Sequence, residues 1–193
     1  MTYVLAAVVG YLLGAVSPAT LVARHFGADL RGSGSGNPGA TNVGRVLGRK
    51  AGIAVGLLDV AKGYVPALAF ALLASHEAGL VAGFAAMLGH VSSPYLRGHG
   101  GKGVATAAGA ILGSHPAWAP YVLVVWVLVV VVTKWVALGS VTSALVLVVV
   151  ALVYRDSGAD VAWAAAIAFV VLLRHQVNFV RWWTNKRSST DLV

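Results

Sequence analysis

Tyr121-Val-Leu-Val-Val-Trp-Val-Leu-Val-Val-Val-Val132 carries no charge, and neither does Val141 to Val153 a few residues on. Such runs cannot be satisfied by one face of a soluble helix, which alternates apolar and polar sides; they call for an apolar solvent on every side. The whole chain repeats this bias. Of 193 residues, 59% are hydrophobic and 10% charged, where a soluble domain has about a quarter charged. The solvent is lipid, and the expected fold is all-α, a polytopic membrane protein.

Hydropathy predicts spans near 3–23, 51–74, 78–95, 117–133, 136–154 and 160–176, with a shorter apolar piece at 103–113. Eleven residues rise only about 16 Å, short of a 30 Å hydrocarbon core unless neighbours or a cavity shield the ends. The basic residues decide how to count that piece. Arg24, Arg31, Arg45, Arg49 and Lys50 follow the first span, Arg97 and Lys102 the third, and Lys134 the span at 117–133; Arg174, Arg181, Lys186 and Arg187 come last. All fall on one side only if 103–113 is a crossing. The expectation is therefore seven transmembrane helices, one of them short, with the N-terminus outside and the C-terminus cytoplasmic. Glu77, Arg155, Asp156 and Asp160 then lie outside. The first apolar stretch has no basic n-region and runs into Arg24 and His25, so it reads as a span and not a removable signal.

There are 14 Lys and Arg against 6 Asp and Glu, and no cysteine. Thiol catalysis and disulfides are excluded, and six scattered acids make no metal cluster. The basic residues gather near two glycine-rich loops, which points to anions at a membrane surface and not to nucleic acid. The first loop reads Arg31-Gly-Ser-Gly-Ser-Gly-Asn-Pro-Gly-Ala-Thr-Asn42; its glycines leave backbone N–H groups open to an anion, and its hydroxyls and amides add donors. Gly34, Gly36 and Gly39 spell G-x-G-x-x-G, but a membrane helix precedes them where a dinucleotide fold needs a strand. A Walker A reading fails at Ala40, where its lysine belongs. In the second loop, Gly98-His-Gly-Gly-Lys-Gly103, Lys102 is delivered to the N-terminus of the short helix from Val104, where partial positive charge and free N–H groups also favour anions. A linker with snorkelling basic residues is the alternative for each loop alone.

Asp29-Leu-Arg31, Gly34 to Val43, Leu58-Asp-Val-Ala-Lys-Gly63, Gly89-His90 and Gly100-Gly-Lys-Gly-Val-Ala-Thr106 follow one another in order, with Leu138-Gly139, Ser143-Ala-Leu145 and Arg174-His175, Asn178, Arg181 after them. In this ordered set the chain closely resembles the bacterial membrane acyl phosphate:glycerol-3-phosphate acyltransferases, the PlsY family. The resemblance implies seven helices in a bacterial inner membrane, with the motif loops at the cytoplasmic face and residues 1–193 as one acyltransferase domain. It implies transfer of a fatty acyl group from acyl phosphate to the 1-hydroxyl of glycerol 3-phosphate, giving lysophosphatidic acid and phosphate for phospholipid synthesis. Position by position, Ser35, Gly36, Asn37, Gly39 and Thr41 fall in the loop expected to hold the donor's phosphate, with Asn42 counted among the substrate-binding residues. Arg45, Lys102, Ser143, His175 and Asn178 match the group expected around glycerol 3-phosphate. The chain departs from the family at Gly98-His99, at Ala137 where a serine is common, and after Asn178, where a glutamate is missing and Asp191 is a displaced substitute.

The implied chemistry fits the residue inventory. An acyl phosphate is already activated, so the protein must position two anions and offset their repulsion more than it must supply a nucleophile. The resemblance implies substrate assistance, in which the donor's phosphate takes the hydroxyl proton, so no protein catalytic base and no cofactor are expected. His175 is the candidate if a base exists. The H-x-x-x-x-D pair of another glycerolipid acyltransferase family is absent; His25 to Asp29 is one residue short. Asp59 and Lys62 share a helix face three residues apart and are expected to form a structural ion pair supporting the site. His90 reads as structural, and nothing is assigned to His76 or His115. Membrane lipid and the soluble enzyme that supplies acyl phosphate are the expected partners. A channel for organic phosphates would need polar span interiors that are missing here, and a Mg²⁺-dependent phosphotransferase would need an acidic cluster.

Overall fold

The computed structural model describes residues 1–154 and 157–190, without the side chains of Arg181 and of residues 185–190. Arg155, Asp156 and Asp191 thus lie outside the described residues, as do the side chains of Lys186 and Arg187. The described residues contain helices and no strand: α1 (Thr2–Ala15), α2 (Pro18–His25), α3 (Ala40–Val46), α4 (Arg49–Leu73), α5 (His76–Val91), α6 (Val104–Ser114), α7 (Ala119–Thr133), α8 (Val136–Tyr154) and α9 (Gly158–Thr190), with a 3-10 turn at Pro94–Leu96. Each of the seven apolar pieces read from the sequence is helical. Four segments, Thr2–His25, α4, α8 and the Gly158–Thr184 part of α9, are long and apolar enough to cross a membrane. Leu57, Leu58, Val131, Val132 and Val153 are more than half exposed, as expected of side chains solvated by lipid.

Four boundaries differ from the expectation, each for a local reason. The span at 3–23 breaks at Val16, which is extended, because Ser17 precedes Pro18 and is steered from the helical region. Pro18 then opens α2, and the Ser17 hydroxyl oxygen accepts the Thr20 N–H at 3.3 Å. The connection at 24–50 is not wholly loop, since it contains α3. The third span ends at Val91 and not at 95, before Pro94. Finally, α9 continues well past 176, because no glycine or proline follows in its sequence.

The chain forms two compact units, Met1–Pro120 and Tyr121–Val193. In the first, small residues allow backbones to touch, the usual way for membrane helices to pack without a hydrophobic driving force between them. A Cβ on Gly10 or Gly14 of α1 would fall on the carbonyls of Ala82 or Ala86 of α5, and one on Gly63 of α4 would fall on the Thr106 carbonyl of α6. Ser93 Oγ donates to the Ala15 carbonyl at 2.6 Å, fastening the end of α1 beside α5. A compact apolar cluster of Ala19, Ala23, Leu30, Val43 and Val55 ties α2, α3 and α4 together. Leu30 and Val43 bracket the first glycine loop, so its two ends are anchored while its middle stays outside the core. In the second unit α8 packs on α9, and Trp135 lies 5.0 Å from Phe179 and 5.4 Å from Trp182 between ring centroids.

Candidate functional site

Asn42 organises the first loop. Its Oδ1 accepts the Ser35 N–H at 2.8 Å, while Nδ2 donates to the carbonyls of Leu30 at 3.0 Å and Ser33 at 3.1 Å. The side chain is buried, with 1% of its surface exposed. An amide can serve both ways at once because it carries donor and acceptor on one planar group. Asn42 is thereby placed inside the loop's own scaffold. The backbone tells a related story: Gly36 N–H donates to Ser33 and Gly39 N–H to Asn37, at 3.2 and 3.0 Å. Three N–H groups that glycine richness suggested for an anion are therefore spent within the loop. Thr41 and Arg45 lie four apart on α3, share a face, and are both exposed. Ser35 is also exposed, and Asn37 and Gly39 are half-buried.

The second loop is held from outside. Gly100 and Gly101 donate their N–H groups to the carbonyls of Val91 and His90, both at 3.1 Å, and Gly98 donates to Ser93 at 2.9 Å. Gly103 is left-handed at φ 82°, turning the chain into α6 directly after Lys102. Lys102 is half-buried. The two loops are joined by Arg31, whose Nη2 donates to the Leu96 carbonyl at 3.3 Å.

Below the second loop, the expected Asp59–Lys62 pair is formed: Lys62 Nζ lies 2.9 Å from Asp59 Oδ1 and also donates to the Val16 carbonyl at 2.8 Å. The same Asp59 oxygen lies 3.4 Å from His90 Nδ1. Sequence spacing could not reveal that third member, which is 31 residues away on another helix. At the other end of α5, His76 meets His115 edge-on at 4.9 Å, and His115 stacks on Trp118 at 3.8 Å.

In the second unit Ser143 is buried and its hydroxyl donates to the Ser140 carbonyl at 3.1 Å. His175 is buried on α9 with Nδ1 2.8 Å from the Val171 carbonyl. A carbonyl only accepts, so Nδ1 carries the proton in that contact. Asn178 follows at one helical turn and is half-buried. Ala137 is buried where α8 begins.

An all-helical protein with lipid-compatible spans and glycine loops bearing lysine and arginine belongs to the class of integral membrane enzymes or carriers that handle anions. The comparison with known proteins decides within that class. Residues 4–185 match the family described as glycerol-3-phosphate acyltransferase. The glycerol-3-phosphate acyltransferase of Geotalea daltonii is 38% identical over 195 aligned positions, covering 100% of this chain and 98% of its own. Two crystal structures of PlsY (YgiH), an integral membrane glycerol 3-phosphate acyltransferase, are also similar. Its glycerol 3-phosphate form superposes with a TM-score of 0.92 at 33% identity, covering 96% of this chain and 94% of that one. Its lysophosphatidic acid form gives 0.89 at 32%, with 96% and 93% covered. The chain belongs to the PlsY family of glycerol-3-phosphate acyltransferases.

Proposed function

We propose that this enzyme takes its acyl group from acyl phosphate and passes it to the 1-hydroxyl of glycerol 3-phosphate, an early step of phospholipid synthesis. The hydroxyl oxygen attacks the acyl carbonyl carbon, the bond from that carbon to the phosphate oxygen breaks, and the departing phosphate keeps the proton it takes from the hydroxyl. Lysophosphatidic acid and inorganic phosphate result, and no protein base or cofactor is consumed. The match over residues 4–185 carries this reading. The relatives' glycerol 3-phosphate and lysophosphatidic acid forms supply the acceptor and the product.

Both substrates are anions, so cationic and hydrogen-bonding groups must offset their repulsion as they approach. We assign the loop of Ser35, Gly36, Asn37, Gly39 and Thr41 to the donor's phosphate, with the glycines shaping the backbone through their internal hydrogen bonds and the side chains of Ser35, Asn37 and Thr41 reaching the anion, and Arg45, Lys102, Ser143, His175 and Asn178 to glycerol 3-phosphate. Asn42 supports the first group by shaping its loop. The whole chain, 1–193, acts as one acyltransferase domain in the bacterial inner membrane. It crosses seven times, with α5, α6 and α7 completing the four longer segments, the N-terminus outside and the C-terminus and glycine loops cytoplasmic. There the loops meet water-soluble glycerol 3-phosphate and the soluble enzyme that makes acyl phosphate.

The test is acyl transfer by purified, detergent-solubilised protein with labelled glycerol 3-phosphate and either palmitoyl phosphate or palmitoyl-CoA. Lysophosphatidic acid is expected from palmitoyl phosphate alone, at a rate unchanged by a chelator of divalent metals. Lys102→Ala and Arg45→Ala should each cost about 100-fold or more, the scale of losing one preorganised charge contact. Product from palmitoyl-CoA alone overturns the donor assignment. No product from folded protein overturns the reaction.

A further inference from the structure

Acyl transfer as described uses Lys102 but neither of the buried groups that underlie its loop. Asp59 is 2% exposed within α4. A buried carboxylate without a partner is strongly destabilising, so one neutralising cation is required, and Lys62 at 2.9 Å supplies it. His90 at 3.4 Å from the same oxygen exceeds that requirement. The two partners face different elements: Lys62 also binds the Val16 carbonyl at the end of α1, whereas His90 faces the glycine loop.

His90 meets that loop twice. Its backbone carbonyl accepts the Gly101 N–H at 3.1 Å, and its ring lies so close to Gly101 that a Cβ there would fall on Nε2. The ring thus turns Nδ1 toward Asp59, at 3.4 Å, and Nε2 toward the loop. Gly101 immediately precedes Lys102, and left-handed Gly103 immediately follows it. The lysine's backbone is thus pinned on one side by His90 and bent on the other into α6.

We propose that His90, oriented by Asp59, is a positioning residue for Lys102: it sets where the ammonium group stands without itself touching substrate. This rests on the reading of Lys102 as a ligand of glycerol 3-phosphate. A buried ion pair serving stability alone would lower the unfolding temperature when broken and leave the folded enzyme's affinity for acceptor unchanged. A positioning role makes the kinetic effect of His90 depend on the lysine.

The experiment is a double-mutant cycle of His90→Ala with Lys102→Ala, measuring the KM for glycerol 3-phosphate and kcat on protein shown to be folded. His90→Ala should raise KM about tenfold when Lys102 is present and change it little when Lys102 is alanine, a coupling of ordinary size for residues acting as one unit. His90→Asn places an amide near the Nδ1 position and keeps a donor for Asp59, so it should restore thermal stability but not KM. Gly101→Ala approaches the same contact from the loop and should reproduce the KM effect. A second readout needs no activity: the labelling rate of the Lys102 amine by an acylating reagent, read by peptide mass spectrometry against Lys50, should rise several-fold in His90→Asn. Additive costs in the cycle, or unchanged Lys102 labelling in the folded variants, overturn the proposal. If the wild type makes no product, the proposed reaction fails and the labelling result still decides how Lys102 is held.

Discussion

The two glycine loops look alike in sequence and are built in opposite ways. The first is tied together from within, by one amide side chain that reaches two backbone groups of its own loop and the carbonyl of Leu30 just before it. The second owes its shape to a neighbouring membrane helix, whose last carbonyls receive its N–H groups and whose His90 ring fills the space beside Gly101. Glycine serves different ends in the two. In the first, Gly34 and Gly36 take left-handed conformations, at φ 61° and 72°, that other residues rarely adopt. In the second, Gly100 and Gly101 make room for close approach to α5. One loop should therefore fail when its internal amide is removed, and the other when its outside support is.

Asn42→Ala should have the larger effect. It removes three hydrogen bonds, each worth about 1 kcal/mol net, and leaves the carbonyl of buried Leu30 without this partner, which costs more. The expected result is a loss of about 3 kcal/mol in stability and about 100-fold in acyl transfer, seen in thermal unfolding in detergent and in initial rates. Asn42→Asp should rescue neither, because it keeps the acceptor for Ser35 but faces the carbonyls of Leu30 and Ser33 with another oxygen. An Asn42→Ala protein of normal stability and rate would break the contrast. Arg31→Ala, which cuts the 3.3 Å link between the loops, should cost less, about threefold in rate, since a single hydrogen bond to an exposed arginine contributes about 0.5–1.5 kcal/mol at most.

Hydropathy located every long apolar helix, because lipid solvation makes a continuous apolar run the dominant signal. What it missed was short or chemically local. The α3 helix has only seven residues, Ala40–Val46, inside a polar connection, and the break at Val16 depends on one serine before one proline. At the site, Lys102 at the entrance of α6 was legible from its flanking glycines and the apolar piece that follows. The Asp59–Lys62 pair was legible from three-residue spacing on one helix. His90 was not, because its contacts with Asp59 and Gly101 exist only once α4, α5 and the second loop are brought together. Asn42 was read as one more donor for substrate; only the folded loop shows that both ends of its amide are already engaged.

The smallest effect separates the two uses of glycine inside one loop. Gly98 is left-handed at φ 77°, and a Cβ there would meet nothing within 4 Å. Gly98→Ala therefore pays only for backbone conformation, about 1 kcal/mol, and should leave the KM for glycerol 3-phosphate within about twofold, given that the loop's contacts to Val91 and His90 are untouched. Gly101→Ala, three residues on, meets the His90 ring and should shift KM strongly. The pair is best measured side by side, as unfolding temperature and KM on the same preparations. If Gly98→Ala raised KM as much as Gly101→Ala, local backbone flexibility would govern Lys102 rather than the contact with α5. If it lowered only the unfolding temperature, the second loop's function would trace to its outside support.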